Sequence, residues 1–208
     1  MYNPRYFREE RVEVLHALMR DHPLATVVTH ERGRLQANHI PLFLVADKRR
    51  KGVLRGHINR NNHMAVDHDP ALEVLAIFQG PMHYITPSWY VDKVEGGKAV
   101  PTWNYVTVHV HGRLRSTENP RWLREHVTAL TDLVEAGRPR PWQAESAPPS
   151  FMKGQIKGII GLEITITSIE GKWKLSQNRP EPYRGSVVEG LTAEGDLVMA
   201  DLMTNAIK

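Results

Sequence analysis

From Trp103 to Leu114, Val106, Val108 and Val110 share one parity, while Tyr105, Thr107, His109 and His111 share the other. A two-residue period of this length describes a strand with one face on a core and one toward water, the habit of antiparallel sheets. Shorter stretches repeat the theme. Leu24 to Thr29 and Leu35 to Val45 read as strands joined through the turn signal Glu31-Arg32-Gly33. Further strands are Val53 to Ile58, Glu73 to Gln79 running into Gly80-Pro81, Met82 to Thr86, and Ile159 to Ile169, which turns at Gly171 into Trp173 to Ser176. Helical spacing is confined to a few segments. Val12, Leu15, Leu18 and Met19 predict a helix over Phe7 to Asp21, and a short one runs from Asn62 to His68 until Pro70 stops it. Asn119 as N-cap before Pro120 starts an inserted helix over about 120–137, striped by Leu123, Val127, Leu130, Leu133 and Val134. A C-terminal helical tail from Asp196 to Ile207 packs through Val198, Met199, Leu202 and Met203. The proline-rich run Arg138 to Pro149 and the Gly96-Gly97 loop are connectors. Many short strands, few helices and no alternating βα units predict a mainly β class: a β-barrel with flanking helices, one domain over residues 1–208.

The 208 residues carry 27 basic against 23 acidic side chains, a formal charge of +4, and are 41% hydrophobic and 24% charged, an ordinary globular balance. Cysteine is absent. That removes disulfides, thiolate nucleophiles, iron–sulfur clusters and cysteine-ligated zinc. Met1 to Glu10 holds no apolar signal-peptide core, and no apolar run nears the ~20 residues of a membrane span, so a cytoplasmic protein without a membrane partner is expected. The one dense basic run, Lys48-Arg49-Arg50-Lys51, reads as a solvated loop between strands.

The usual catalytic motifs are missing. There is no G-x-G-x-x-G, no G-x-x-x-x-G-K-[ST], no G-x-S-x-G and no H-E-x-x-H. His109 and His111 sit at i, i+2 on a polar strand face, where two imidazoles can meet one metal, but a third ligand at convincing spacing is lacking. They read better as cross-strand polar partners, and no metal site is expected.

Three segments are too polar and too aromatic for ordinary core. They are Asn38-His39-Ile40-Pro41 with Gly56-His57-Ile58-Asn59-Arg60-Asn61-Asn62; Pro87-Ser88-Trp89-Tyr90 with Pro101-Thr102-Trp103-Asn104-Tyr105; and Lys174-Leu175-Ser176-Gln177-Asn178-Arg179. Each sets amide and cationic side chains just past a strand end. A phosphorylated flavin needs that mixture: cations and N–H donors for the phosphate, aromatic flanks and donors for the ring. The residues alone leave open the plainer reading, in which asparagine and glycine there cap helices and make turns.

The same segments resemble the signatures of the PaiB-like family of FMN-binding negative transcriptional regulators. The match runs through Tyr2-x-Pro4-x-x-Phe7, Asn38-His39-Ile40-Pro41, Gly56-His57 to Asn61 and Ile77-Phe78-x-Gly80-Pro81. It continues in Tyr84-Ile85-x-Pro87-Ser88-Trp89-Tyr90, Val100 to Tyr105 and Gly171-Lys172-x-Lys174 to Arg179, covering nearly the whole chain in order. The resemblance implies an FMN-binding split barrel of the pyridoxamine-phosphate-oxidase type, a homodimer with flavin in the cleft between protomers. It implies His57, Asn59, Arg60 and Asn62 near the phosphate, and Asn38, His39 and Pro41 along the strand where the ring edge packs. Trp103, Asn104 and Tyr105 are expected beside the flavin or sealing the dimer cleft, with Lys174, Ser176, Gln177 and Arg179 reaching across the interface. Trp89 and Trp103 equally suit an interface core. Two alternatives are carried forward. One is a DNA-binding repressor without flavin chemistry, for which no DNA-reading helix is visible. The other is a haem-binding or haem-degrading split barrel using His109 or His111 as axial ligand. An oxidoreductase role has no catalytic side chain attached to it.

Overall fold

The computed structural model describes residues 1–45, 51–93 and 99–206. A 3-10 turn at Arg5–Phe7 leads into β1 (Arg8–Glu9) and α1 (Val12–Asp21), then β2 (Leu24–Glu31), β3 (Arg34–Pro41), β4 (Phe43–Val45) and β5 (Val53–Asn59). The short helix α2 (Met64–Asp67), strand β6 (Val74–Ile85) and a 3-10 stretch at Pro87–Lys93 follow, then β7 (Thr102–Thr117) and α3 (Pro120–Glu135). The chain closes with a turn at Ala144–Ser146, α4 (Pro149–Lys157), β8 (Ile159–Lys174), α5 (Glu181–Glu194) and α6 (Leu197–Asn205). Among the described residues the sheet has the order β3-β2-β6-β7-β8-β5-β4, with β1 added beside β8. Residues 48–50 of the basic run and the Gly96-Gly97 loop lie outside the described residues.

The chain forms two compact units, one of Met1–Leu18, Gln79–His109 and Glu170–Lys208, the other of Met19–Phe78 and Val110–Ile169. In the second unit β2 and β3 pair antiparallel from Leu24↔Pro41 to Glu31↔Arg34. Their two-residue turn, Arg32 (φ 48°) and Gly33 (φ 77°), has the positive angles that match the right-handed twist of a hairpin. β2 also pairs with β6 (Val27↔Ala76), and β5 lies between β4 (Leu44↔Leu54) and β8 (Ile58↔Ile160). The alternation expected from sequence buries Ala25, Val27, Leu54, Phe78, Val110, Leu162 and Ile164 completely. Each larger member contributes ~1.5–3 kcal/mol by leaving water. Helix α3 starts as expected: Asn119 Oδ1 accepts the backbone N–H groups of Arg121 (2.9 Å) and Trp122 (3.3 Å), with Pro120 at the first position. Its Trp122 lies over β8 at Gly161, where a Cβ would stand 2.2 Å from the indole.

In the first unit, β1 pairs with the end of β8 (Arg8↔Lys172), and α5 and α6 pack on each other. Tyr90 is buried with its ring 4.1 Å from that of Tyr183, and Trp89 covers Gly190 of α5. The Pro87-Ser88-Trp89-Tyr90 segment therefore packs against α5, a helix the sequence reading did not anticipate. Asp196 caps α6 by accepting from Met199 N at 3.0 Å.

Several expected boundaries move, each for a tertiary reason. The first helix is shorter than Phe7 to Asp21 because Arg8–Glu9 is drawn into strand pairing. Gly80 and Gly171 are not turns. Both sit inside continuous strands, β6 and β8, where a side chain would collide with Val106 and Leu18, or with Leu15. The stripe of α3 is set further toward its start: Leu123 and His126 are buried, whereas Leu133 and Val134 are exposed. Val198 on α6 is likewise exposed, and α4 starts at Pro149, where the expected connector ends.

Candidate functional site

On the second unit, the β2–β3 hairpin and the chain from β5 into α2 enclose a cavity of about 660 Å³. Residues Arg34, Gln36 and Asn38 have the same parity on β3, so the period of the strand turns all three toward it. Arg32 enters from the hairpin turn, and Asn61, Asn62 and His63 from the other wall. That wall is a locked turn. Asn59 Oδ1 accepts Asn61 N at 2.9 Å, Asn59 O accepts Asn62 N at 2.9 Å, and Asn62 Oδ1 accepts Met64 N at 3.0 Å. The two walls are tied by Asn62 Nδ2, which donates to Asn38 Oδ1 at 2.8 Å, and by Asp69 N donating to His30 O at 2.8 Å. Of the two carboxylates of the cavity, one is ion-paired among the described residues and the other is hydrogen-bonded. Glu31 accepts from Thr29 Oγ1 at 2.6 Å, and Asp67 pairs with Arg32 at 3.0 Å. The Arg34 guanidinium has no ion pair among the described residues. The cavity is thus a surface of amide and guanidinium donors, with a volume in the range of small-molecule sites.

Of the residues expected at a phosphate, the structure gathers Asn38 and Asn62 here, with Asn59 holding the turn beneath them. It does not gather His57 or Arg60. His57 is engaged elsewhere, its Nδ1 meeting His126 Nε2 of α3 at 2.9 Å. Arg60 donates to Lys157 O at 2.7 Å at the end of α4 and pairs with Glu118 at 2.7 Å. Its guanidinium serves the C-terminus of a helix and a carboxylate rather than the cavity. His39 and Pro41 lie exposed along β3. Asn61 belongs to the polar segment expected from sequence, whereas Arg32, Arg34, Gln36 and His63 were not expected at a ligand, although the shared parity of residues 34, 36 and 38 is a legible signal for two of them.

The remaining expected residues sit together on the first unit, at the ends of β7 and β8. Lys174 Nζ donates to Thr102 Oγ1 at 2.6 Å and to the Trp103 carbonyl. Burial, with Lys172 and Arg179 nearby, holds its ammonium below the usual lysine range. Lys172 lies over the Tyr105 ring at 5.5 Å, and the exposed Trp103 meets Tyr84 edge-on at 5.7 Å. Asn104 departs from the expected pattern, since it is fully buried between Ser176 Oγ (3.1 Å) and Met203 Sδ (3.3 Å). Ser176 adopts φ 63°, a left-handed conformation costly for a residue with a Cβ. Gln177 closes the turn by accepting from Leu175 N at 2.8 Å and donating to Trp173 O at 2.6 Å, while Arg179 lies 5.5 Å over Tyr183. His109 and His111 are half-buried on β7, and among the described residues no three metal-binding side chains converge.

Residues 1–168 match the family described as "Putative FMN-binding domain". The chain is 33% identical over 211 residues to the "Protease synthase and sporulation protein PAI 2" of Bacillus subtilis, an alignment covering 100% of this chain and 99% of that protein. Among solved structures it resembles the flavocytochrome Anf3 of Azotobacter vinelandii, with TM-score 0.58 and 16% identity over 82% of this chain and 71% of that one. It also resembles an FAD- and haem-binding protein of Mycobacterium smegmatis, with TM-score 0.56 and 17% identity over 80% and 73% of the two chains. These likenesses establish a mainly antiparallel split-barrel fold, and the end-to-end similarity to the Bacillus protein makes the chain a member of the PaiB-like FMN-binding family.

Proposed function

We propose that the chain binds FMN as a homodimer, with the phosphate end of the cofactor in the cavity of Asn38, Asn62, Arg34 and Arg32. The observation that carries this reading is the donor set itself: amide N–H groups and the Arg34 guanidinium, which has no ion pair among the described residues, converge beside Arg32, while Asp67 is paired with Arg32 and Glu31 accepts from Thr29. A phosphate dianion fits such a surface, because charge-assisted hydrogen bonds to it are the strong ones. When bound, FMN supplies the electron-transfer chemistry of its ring, and the protein contributes orientation and electrostatics.

The ring side is proposed to lie along Asn38, His39 and Pro41, completed by Trp103, Tyr105, Lys174, Ser176, Gln177 and Arg179 of a second copy. Met82, Tyr84 and Trp103 support a partner copy, since all three are more than 40% exposed in the single chain. The name of the Bacillus relative supports a role in gene expression, proposed here to run through the flavin site. Among the described helices α3 is the longest, and its Trp122 and His126 side is packed down. A cytoplasmic location is proposed as well; no described helix is long and apolar enough to cross a membrane.

The test is a titration of flavin fluorescence with FMN and with riboflavin, on wild type and Arg34→Ala. FMN is expected to bind more tightly than riboflavin, and Arg34→Ala to weaken FMN about tenfold with riboflavin unchanged, the scale of one hydrogen bond to a charged group. Equal affinity for the two flavins would falsify the phosphate assignment.

A further inference from the structure

We propose that Asn62 is a positioning residue, and that it sets the hydrogen-bond polarity of the cavity by forcing Asn38 to present its amide N–H2, not its carbonyl, to the ligand. The proposal rests on the reading of this cavity as the phosphate site. One group in this arrangement has a role that cannot be reversed. The backbone N–H of Met64 only donates, and it points at the Asn62 side chain at 3.0 Å. The atom of Asn62 that receives it must be the carbonyl oxygen. The other end of the same amide, Nδ2, can then only donate, and its partner 2.8 Å away is Asn38. The receiving atom of Asn38 must in turn be Oδ1, which leaves Asn38 Nδ2 with no bond among the described residues and with the cavity before it. Two amides in series thus carry the direction of one backbone N–H from the start of α2 to β3.

The locked turn below keeps the relay from rotating. Asn62 N is held by Asn59 O and Asn61 N by Asn59 Oδ1, so the Asn62 backbone cannot swing to offer the opposite edge. The ligand atom facing Asn38 must therefore be an acceptor. With Arg34 on the same face of β3, the pair disfavours an amine donor and binds anionic oxygen more strongly than a neutral hydroxyl.

The relay is read directly by side-chain amide NMR on the ¹⁵N-labelled full chain, with FMN as the probe, in wild type and in Asn62→Asp and Asn62→Ala. An aspartate at 62 still accepts Met64 N, so this variant is expected to keep the melting temperature of wild type. It can no longer donate, and Asn38 must turn to give its N–H2 to the new carboxylate. In wild type, FMN is expected to shift the Asn38 N–H2 resonances more than those of Asn62, whose Nδ2 is already donating to Asn38. In Asn62→Asp the Asn38 resonances are expected to be unresponsive to FMN. The neutral Asn62→Ala, free of any added charge, is expected to weaken FMN about tenfold, the scale of losing one oriented bond to a charged oxygen. If FMN binds to wild type without moving either asparagine, the cavity is not the phosphate site and the relay falls with it. If Asn38 responds equally in wild type and Asn62→Asp, or Asn62→Ala binds FMN like wild type, the relay is overturned while the cavity assignment stands.

Discussion

His126 is 3% exposed and lies between the Phe43 ring (5.3 Å, 18°) and the Trp122 ring (5.1 Å, 11°). Its Nε2 meets His57, and its Nδ1 is buried without a partner among the described residues. An orphaned lone pair costs less than an orphaned N–H, so the proton belongs on Nε2, donating to His57 Nδ1. Protonating His126 would add a donor at Nδ1 with nothing to receive it, beside His57 and Arg55; the Arg55 guanidinium is itself paired with Glu163 at 2.9 Å. Burial, then His57 and Arg55, lowers the His126 pKa to about 4, and burial lowers that of His57 too. The unfolded chain, with histidines near ~6.5, takes up protons before the folded one does. Stability from this pair is therefore full above about pH 6.5 and is lost as pH falls toward 4. Urea unfolding at pH 7 and pH 4.5 should show a drop about 2 kcal/mol smaller in His126→Phe than in wild type. At the hairpin, Arg32 holds φ 48° at a position suited to asparagine or glycine. Relief of that conformation, roughly 1–2 kcal/mol, exceeds the ~0.2–1 kcal/mol of its exposed pair with Asp67. Arg32→Asn should accordingly raise the melting temperature while weakening FMN, which separates the stability of the turn from its use.

Among the elements, α3 is the one whose start was written most plainly in the chain. Asn119→Ala should cost about 1 kcal/mol in unfolding free energy through the lost cap. Gly161→Ala should cost ~1–3 kcal/mol, because the new methyl must displace the Trp122 ring from β8; Trp122 fluorescence should shift red if the helix lifts. The same glycine logic marks where local reading fails. Gly80-Pro81 and Glu170-Gly171 carry the composition of turns, yet both lie within long strands, since the missing Cβ serves Leu18, Val106 or Leu15 across the packing. Nothing in the local composition distinguishes a glycine that bends the chain from one that admits a neighbour. Strand β3 shows the converse. Its parity places Gln36 and Arg34 with Asn38 in a way the sequence already contained, whereas Arg60, next to Asn59 in the chain, and His57, two residues before it, are held by α4 and α3.

For the molecule as a whole, the exposed Met82, Tyr84 and Trp103 make the oligomeric state a direct readout. Light scattering should give twice the chain mass for wild type and a monomer for Trp103→Lys, and loss of the dimer should lower FMN affinity with it; a monomeric wild type that binds FMN fully would remove the second copy from the site. The strand period, the helix caps, the absence of cysteine and the order of the family's segments all follow from residues near one another in sequence, because periodicity and capping are local chemistry. That much determined a mainly β chain with an FMN-type set of polar residues. Which of those residues face one cavity was decided only by folding. Hydrogen bonds such as Asn62 to Asn38 and Arg60 to Lys157 join positions far apart in the chain, and a side chain's partner is settled by whichever helix or strand arrives beside it.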